Sequence, residues 1–224
     1  MKMKLMESWR FAVKCIKLSY NLKTNLFAFG FLSVMALVYE ITNFANGVGA
    51  IMLLTMAMYP TQMIYSVCGS HLVQSSPHKK AIMTSLPTAI TFCCGILAYL
   101  ALIAIEGIRA IRNPESVEYN TRLILLGGMM LLYLNIYVGV AFKYFWVSVI
   151  AMIGFMIGFY YLVGIIGNSA IALSWFSGIS MPVAIAVGLC LAVLGSLLQY
   201  GVSLLVYKKP VSRHAIYGLM RQQA

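Results

Sequence analysis

The sequence predicts an all-α protein that crosses a membrane six times. Hydrophobic residues make up 62% of the 224 residues and charged residues only 9%, whereas about a quarter of the residues in a soluble domain are charged. The apolar residues form long runs, and a bilayer needs roughly 20 apolar residues per helix. Only short polar segments separate these runs, so residues 1–224 are interpreted as one polytopic transmembrane domain.

The apolar runs place the candidate spans. They cover about residues 26–42, 48–68, 86–105, 123–142, 144–166 and 183–206. A tight polar turn is expected at 40–47, where Ile41 and Thr42 could instead extend the first span, and the longest polar loop is expected at 106–122. The fourth and fifth spans are nearly fused at Lys143, which requires an antiparallel hairpin.

Pro60 lies in the middle of the second span. A proline inside a helix frees a backbone carbonyl and kinks the helix. The neighbouring Thr61 and Gln62 are expected to satisfy that carbonyl, and therefore to face other helices instead of lipid.

The N-terminal segment, residues 3–22, has the pattern of an amphipathic helix. At 100° per residue, apolar and basic side chains fall on opposite faces. The apolar face includes Leu5, Trp9 and Ile16, and the basic face includes Arg10, Lys14 and Lys17. A helix of this kind lies in the membrane interface instead of crossing it. The segment lacks a continuous apolar core and a cleavage site, so it is not interpreted as a removable signal peptide.

The basic residues fall mainly on one side of the predicted spans. Thirteen of the sixteen lysines and arginines lie on the same side of the predicted spans as the N-terminus. Four of the five glutamates lie on the opposite side. Because cytoplasmic loops carry an excess of Lys and Arg, both termini are predicted to be cytoplasmic, in the plasma membrane. The basic residues flank apolar spans, so topology and anionic membrane lipids explain the net charge of +11 better than nucleic acid does.

The chain lacks the motifs of several enzyme classes. It has no GxxxxGK(S/T) phosphate loop, no HExxH, no GxSxG and no Asp. No ionisable residue lies at the centre of a predicted span, although ion-coupled carriers place such groups at membrane depth. The cysteines and histidines have no metal-ligand spacing. These observations disfavour an enzyme, a metal site and a self-powered carrier, and no cofactor is assigned to this chain.

Small and amide residues indicate how the spans contact one another. Gly154 and Gly158 form a GxxxG pattern in the fifth span, which favours close helix packing or a dimer seam. Glycines of the fourth and sixth spans are interpreted in the same way: Gly127, Gly128, Gly188 and Gly195. For Asn135, an amide near the middle of the fourth span, interhelical hydrogen bonding is one interpretation. Contact with a transported substrate is the other, and it extends to Gln62.

The segment SSPHKKAIMTSLPTA, from Ser75 to Ala89, follows the second span. It resembles the loop between the second and third spans of ABC-2-type transporter permeases, where a short basic segment led by serine or proline serves as a coupling helix. The interfacial basic helix, the six spans and the cytoplasmic termini are similar to that family too. The lack of a large external domain is similar to its small members.

The resemblance implies the permease subunit of an ATP-driven exporter for an amphipathic or hydrophobic substrate such as a peptide, lipid or drug. A separate cytoplasmic ABC ATPase would bind ATP and Mg, and a second permease, identical or related, would complete the pathway. The implied ATPase interface comprises Ser75, Ser76, Pro77, His78, Lys79, Lys80, Met83 and Thr84. Pro77 suits a helix N-terminus, and Ser75 or Ser76 could cap that helix.

Other interpretations stay open at this point. A substrate-capturing membrane subunit of a vitamin importer, or an uncoupled carrier, would bind its ligand without an ATPase. A non-transporting assembly or regulatory protein, or an integral enzyme, would neither bind an ATPase nor move cargo. The loop after the second span has a simpler interpretation as well, as a solvated loop that satisfies the positive-inside rule.

Overall fold

Helices form the regular structure of the residues that the structure describes. The computed structural model describes residues 13–19, 22–42, 47–68, 73, 75–141, 143–167 and 178–208. The helices in these ranges are α1 (Leu22–Thr42), α2 (Val48–Met56), α3 (Tyr59–Cys68), α4 (Lys79–Met83), α5 (Ser85–Arg112), α6 (Val117–Ala141), α7 (Phe145–Gly167) and α8 (Met181–Val206). A 3-10 turn, Pro114–Ser116, joins α5 to α6. The predicted all-α class is confirmed for these residues.

Five helical stretches of the described residues are long and apolar enough to cross a membrane. They are Leu22–Thr42, Val48–Tyr65, Lys79–Arg112, Pro114–Ala141 and Met181–Val206. The predicted fifth span, now α7, has a shorter apolar stretch, Val149–Leu162. The helices therefore fit a multi-pass membrane protein with five or six crossings, and the count of six stays a prediction.

Part of the predicted N-terminal helix lies within the described residues. Residues 13–17 are helical, with Lys14 and Lys17 exposed and Ile16 half-buried. Leu5, Trp9 and Arg10 lie outside the described residues, and the interfacial position of the segment stays a prediction.

The helices extend into two segments that were predicted as polar loops. In place of the polar loop at 106–122, α5 continues to Arg112 and α6 begins at Val117. Helix α1 continues past Glu40 to Thr42, so Ile41 and Thr42 extend the first span, in agreement with its predicted end at residue 42. A continued helix satisfies its own backbone N–H and C=O groups, which is required where water is scarce. The charged side chains of these helix ends bond to one another, as described below.

The second predicted span is broken beside its proline. Helix α2 ends at Met56, a turn follows at 57–58, and Pro60 lies in the first turn of α3. Because proline has no N–H group and clashes with the preceding turn, the helix cannot continue unbroken. The kink expected at Pro60 is therefore confirmed.

The two polar residues after Pro60 point in different directions. Thr61 is fully buried, and its Oγ1 lies 2.7 Å from Oγ1 of Thr91 on α5. Gln62 is exposed on the surface of the chain. The prediction that both residues face other helices holds for Thr61 and fails for Gln62 within this chain, because consecutive helical residues point 100° apart.

Helix α6 is the central helix, and α8 packs along most of its length. The backbones meet at glycines: a Cβ built on Gly128 would lie 2.5 Å from Cα of Gly188. About one turn further along α6 and two turns further along α8, a Cβ on Gly195 would lie 2.9 Å from Cα of Leu132. Lipid offers no hydrophobic drive for helix association, so close packing of small residues takes its place. The packing role predicted for these glycines is confirmed.

The GxxxG pattern of α7 has a different environment. Apart from the neighbouring backbone of α7 itself, no atom of the described residues lies within 4 Å of a Cβ built on Gly154 or Gly158. Instead, α7 contacts α6 through Phe155, which stacks on Tyr133 with ring centroids 3.8 Å apart. The GxxxG face is thus not a seam between the described helices of one chain, and its role in a dimer stays a prediction.

Replacement of Gly128 by alanine should weaken the contact between α6 and α8. The new methyl group would overlap the backbone of Gly188, and such overpacking costs about 1–3 kcal/mol. The matched control is Gly201→Ala in α8, where a Cβ has open space and alanine favours the helix by up to about 1 kcal/mol. Thermal unfolding in detergent should show a lower midpoint for Gly128→Ala alone. Equal midpoints for the two variants would contradict the assignment.

Candidate functional site

Two groups of charged side chains lie at opposite ends of the helix bundle. Lys79, Lys80, Lys143 and Lys208 surround the C-terminal end of α8, and this end is called the lysine end. Glu40, Glu106 and Arg109 contact one another at the other end, which is called the carboxylate end. The charge asymmetry seen in the sequence is therefore also a separation in space.

The predicted coupling loop folds into a turn and the short helix α4. The backbone N–H of His78 donates to Oγ of Ser76 at 3.1 Å, and the N–H of Lys79 donates to the carbonyl of Ser76 at 3.0 Å. Helix α4 begins at Lys79, with His78 at its N-cap and no side-chain cap. The predicted helix start at Pro77 and the predicted cap by Ser75 or Ser76 are therefore wrong, because these residues form the turn that precedes the helix. Residues 75–85, which comprise this turn, α4 and the residues up to the start of α5, are called the α4 step.

One side of the α4 step is fixed to the bundle and the other is exposed. Ile82, Met83 and Thr84 are buried, and the Thr84 hydroxyl donates to the carbonyl of Lys80 at 2.6 Å. The exposed residues of the step are Ser75, Pro77, His78, Lys80 and Ser85. Because α4 packs on both α3 and α5, the exposed residues are held in a defined position relative to two spanning helices.

A small cleft opens beside the α4 step. Its lining residues are Tyr65, Met83, Gly139, Lys143, Ser203, Val206 and Tyr207, and its volume of about 10 Å³ has space for about one water molecule. Nζ of Lys143 donates to the carbonyl of Tyr207 at 3.5 Å. Nζ of Lys80 lies 5.9 Å from the centre of the Tyr207 ring. This Lys143 cleft therefore joins the α4 step to the end of α8.

Lys143 itself is an unusual lysine, because only 9% of it is exposed. Burial, followed by the positive charge of Lys79, lowers the pKa of Lys143 from 10.5 to about 8, while Cys68 acts in the opposite direction. The side chain nevertheless stays mainly charged at neutral pH. The sequence placed Lys143 in a hairpin connection without a specific role, since nothing in a one-residue hinge indicates burial.

Four uncharged polar side chains form a layer inside the bundle. Nε2 of Gln199 donates to Oγ1 of Thr91 at 3.3 Å, and Thr91 also contacts Thr61. The fourth is Asn135, whose Nδ2 donates to the carbonyl of Leu131 at 2.8 Å within its own helix. Each of the four lies six or seven residues from the lysine end of its helix, about 10 Å at 1.5 Å per residue. The four residues therefore share one depth.

Two acceptors of this polar layer have unused capacity. Oδ1 of Asn135 and Oε1 of Gln199 are buried and have no hydrogen-bond partner among the described residues. A buried acceptor without a donor is unfavourable by about 1–3 kcal/mol. The amide N–H of Asn135 bonds within its own helix and does not make the interhelical hydrogen bond that was one interpretation of this residue. Its oxygen could accept from a donor outside the chain.

The carboxylate end holds a buried ion-pair cluster that joins three helices. Nη1 of Arg109 lies 3.3 Å from Oε1 of Glu40 on α1 and also bonds Glu106 on α5. The side-chain amide of Asn120 on α6 is oriented so that its NH₂ group donates to Oε2 of Glu106 at 3.0 Å, while its oxygen accepts from the backbone N–H of Ala110 at 3.3 Å. Glu40 fits because Gly49 faces it: a Cβ there would lie 2.5 Å from Cα of Glu40.

Sequence reasoning missed this cluster because it assigned both glutamates to loops. The spacing of Glu106 and Arg109, three residues apart, was the one available signal, since residues three apart are neighbours on a helix. Glu40 is 66 positions from Glu106 in the chain, and its contact could be found only from the fold. The cluster stabilises one end of the bundle and leaves the lysine end as the candidate functional site.

Comparison with known proteins returns no significant match: no family model, no curated protein and no solved structure resembles the chain at that level.

Replacement of Arg109 by methionine should destabilise the protein strongly. Two carboxylates would stay buried without their counter-charge, and loss of one partner from a buried ion pair costs about 3–5 kcal/mol. Arg112→Met, at an exposed arginine of the same helix, is the matched control and should change little. Adding Glu40→Gln to Arg109→Met should recover part of the loss in thermal unfolding. No recovery, or an equal effect at Arg112, would contradict the ion-pair role.

The pH dependence of stability should reveal the buried charge of Lys143. In the unfolded chain this lysine binds its proton up to pH 10.5, and in the folded chain only up to about 8. The penalty for burying the charge is complete below pH 8 and disappears as the pH rises towards 10.5. Lys143→Met should therefore gain stability over the wild type at pH 7 and lose that advantage at pH 10.

Melting midpoints at the two pH values provide the measurement. Lys208→Met removes an exposed lysine from the same end and serves as the matched control. Burial of Lys143 is not the cause if both variants show the same dependence on pH.

Proposed function

We propose that this chain is the permease subunit of an ATP-driven exporter and that it acts with a separate cytoplasmic ABC ATPase. The observation that carries the proposal is the α4 step. Its buried face is fixed to α3 and α5, and its exposed face presents a turn, a proline and a lysine. A partner that binds this face and moves would carry two spanning helices with it, which is how rigid-body motion is transmitted.

The lysine end supports the proposed orientation. Cytoplasmic loops are rich in Lys and Arg, so the lysine end faces the cytoplasm of a plasma membrane and both termini lie on that side. The α4 step is then on the same side as a cytoplasmic ATPase. ATP and Mg would be held by that ATPase, and the chain itself would bind no cofactor.

The cargo is proposed to be amphipathic or hydrophobic, such as a peptide, lipid or drug. The polar layer offers two buried acceptors and no fixed charge, so it suits a molecule with a few donor groups on an apolar body. Gln62, which is exposed, would contribute only at a surface shared with another chain. A second permease is needed to enclose a pathway, and the open GxxxG face of α7 is the proposed seam.

The polar layer also favours one alternative, a substrate-capturing subunit or an uncoupled carrier. In that case the buried acceptors would bind a ligand in the isolated chain, without an ATPase. A non-transporting assembly or regulatory protein would show neither ligand binding nor a bound ATPase. Purification of the chain, followed by tests for a bound ATPase and for ligand binding, therefore distinguishes the three functions.

The α4 step is tested by replacing residues 77–80 with Gly-Ser-Gly-Ser in a chain expressed together with a candidate ATPase from a neighbouring gene. The expected result is loss of copurification and at least a tenfold decrease in ATP hydrolysis in lipid. The same replacement at 113–116, an equally short connection between α5 and α6 at the other end, is the matched control.

Both variants must first show a wild-type melting midpoint, so that a folding defect is not mistaken for loss of the partner. Unchanged assembly and hydrolysis in the 77–80 variant would remove the ATPase interface from the α4 step. Binding of cargo by the chain alone, with no ATPase bound, would support the capturing subunit instead.

A further inference from the structure

Gln62 is a polar side chain exposed on a helix that is apolar enough to cross a membrane. The helical stretch Val48–Tyr65, which contains Gln62, is one of the candidate spans. Gln62 lies six residues from the lysine end of α3 at Cys68, which is about 9 Å at 1.5 Å per residue. In a membrane, its amide therefore lies deeper than the end of its helix, on a surface that the chain leaves uncovered.

Other uncharged polar side chains of the spans are covered or bond within their own helix. The amides of α6 and α8 are buried: Asn120, Asn135 and Gln199. Less buried hydroxyls donate to a carbonyl of the preceding turn, as Thr55 does to Ile51, Thr88 to Thr84 and Ser196 to Val193. The Gln62 amide has no hydrogen bond to any described residue. It thus differs from the other polar groups in being both exposed and unbonded.

An exposed amide at this depth needs both a donor and an acceptor. Its NH₂ group has two N–H donors, and its oxygen is an acceptor. Acyl chains offer neither, and unsatisfied polar groups are strongly unfavourable in hydrocarbon. Lys and Arg reach the membrane surface by means of long stems, but the stem of Gln62 is shorter. The group that satisfies this amide must therefore lie at the same depth and must both donate and accept.

A second copy of this chain carries such a group at the required depth. An amide is complementary to itself, because each of two facing amides can donate to the oxygen of the other. A contact with two-fold symmetry brings the same surface of both chains together, so that residue 62 can face residue 62. Next to Gln62, Tyr59 stacks on Phe29 of α1 with ring centroids 6.2 Å apart. The surface around the amide thus continues onto α1 as apolar surface.

We propose that two copies of this chain associate through α3, with the amide of Gln62 paired with the same amide of the second copy. This contact is separate from the GxxxG face of α7, because α3 packs on α1, α4 and α5, whereas α7 packs on α6. It requires neither an ATPase nor a cargo. The contact and the proposed transport function can therefore fail independently of one another.

Association can be measured by energy transfer between donor-labelled and acceptor-labelled copies of the full chain in lipid vesicles, at several ratios of protein to lipid. The wild type should form dimers without an ATPase or a cargo. Gln62→Leu should raise the dissociation constant about five- to tenfold, since each interhelical hydrogen bond in a membrane contributes modestly. The control is Ser196→Ala, which removes a hydroxyl that bonds within α8 and should leave dimerisation unchanged.

Mixtures of the wild type and Gln62→Leu test whether the two amides contact each other. Loss of either amide breaks the pair, so the mixed dimer should be as weak as the Gln62→Leu dimer. A mixed dimer of intermediate affinity would show that Gln62 contacts a different residue of the second copy, and would overturn the pairing. The proposal is also overturned by a monomeric wild type or by equal effects of Gln62→Leu and Ser196→Ala. Dissociation by Gly154→Ile alone would overturn it too, because the second copy would then lie on α7.

Discussion

The close contact between α6 and α8 is the constraint on which the rest of the structure depends. Gly128 and Gly188 allow the two backbones to meet without intervening side chains. In a membrane, where apolar surface gains nothing by leaving lipid, such contacts and buried polar groups supply the association energy. This single seam also fixes the register of the polar groups along both helices. A shift of one residue in either helix would rotate them by 100° and dissolve the polar layer.

Features of the lysine end and of the carboxylate end are aligned along that seam. Helix α6 contributes Asn120 to the carboxylate end and Asn135 to the polar layer, and α8 contributes Gln199 and Ser203. The two ends nevertheless differ in kind. At the carboxylate end, acidic and basic groups are paired within the chain. At the lysine end, charge is in excess and polar surface is exposed, so that end is the one suited to partners.

Sequence reasoning predicted the parts of this structure that depend on local pattern. Long apolar runs predicted the helices, and Pro60 predicted the break between α2 and α3. Sequence reasoning could not distinguish the packed glycines of α6 and α8 from the uncovered glycines of α7, because the position of a neighbouring helix determines which glycine is covered. For the same reason, the sequence did not predict a role for Thr91 and Gln199. These residues form the polar layer because they lie at the same depth in the bundle, and that depth is known only when the helix ends are known.

The α4 step and the Lys143 cleft meet at one short helix. Met83 lines the cleft and Lys80 lies at its edge over the Tyr207 ring, while the opposite side of the step is exposed. A partner that moves α4 from its exposed side would therefore also change the contact between α4 and the end of α8. Since coupling free energy is reciprocal, any ligand that binds the bundle more tightly in the partner-bound position of α4 must strengthen the binding of that partner by the same factor.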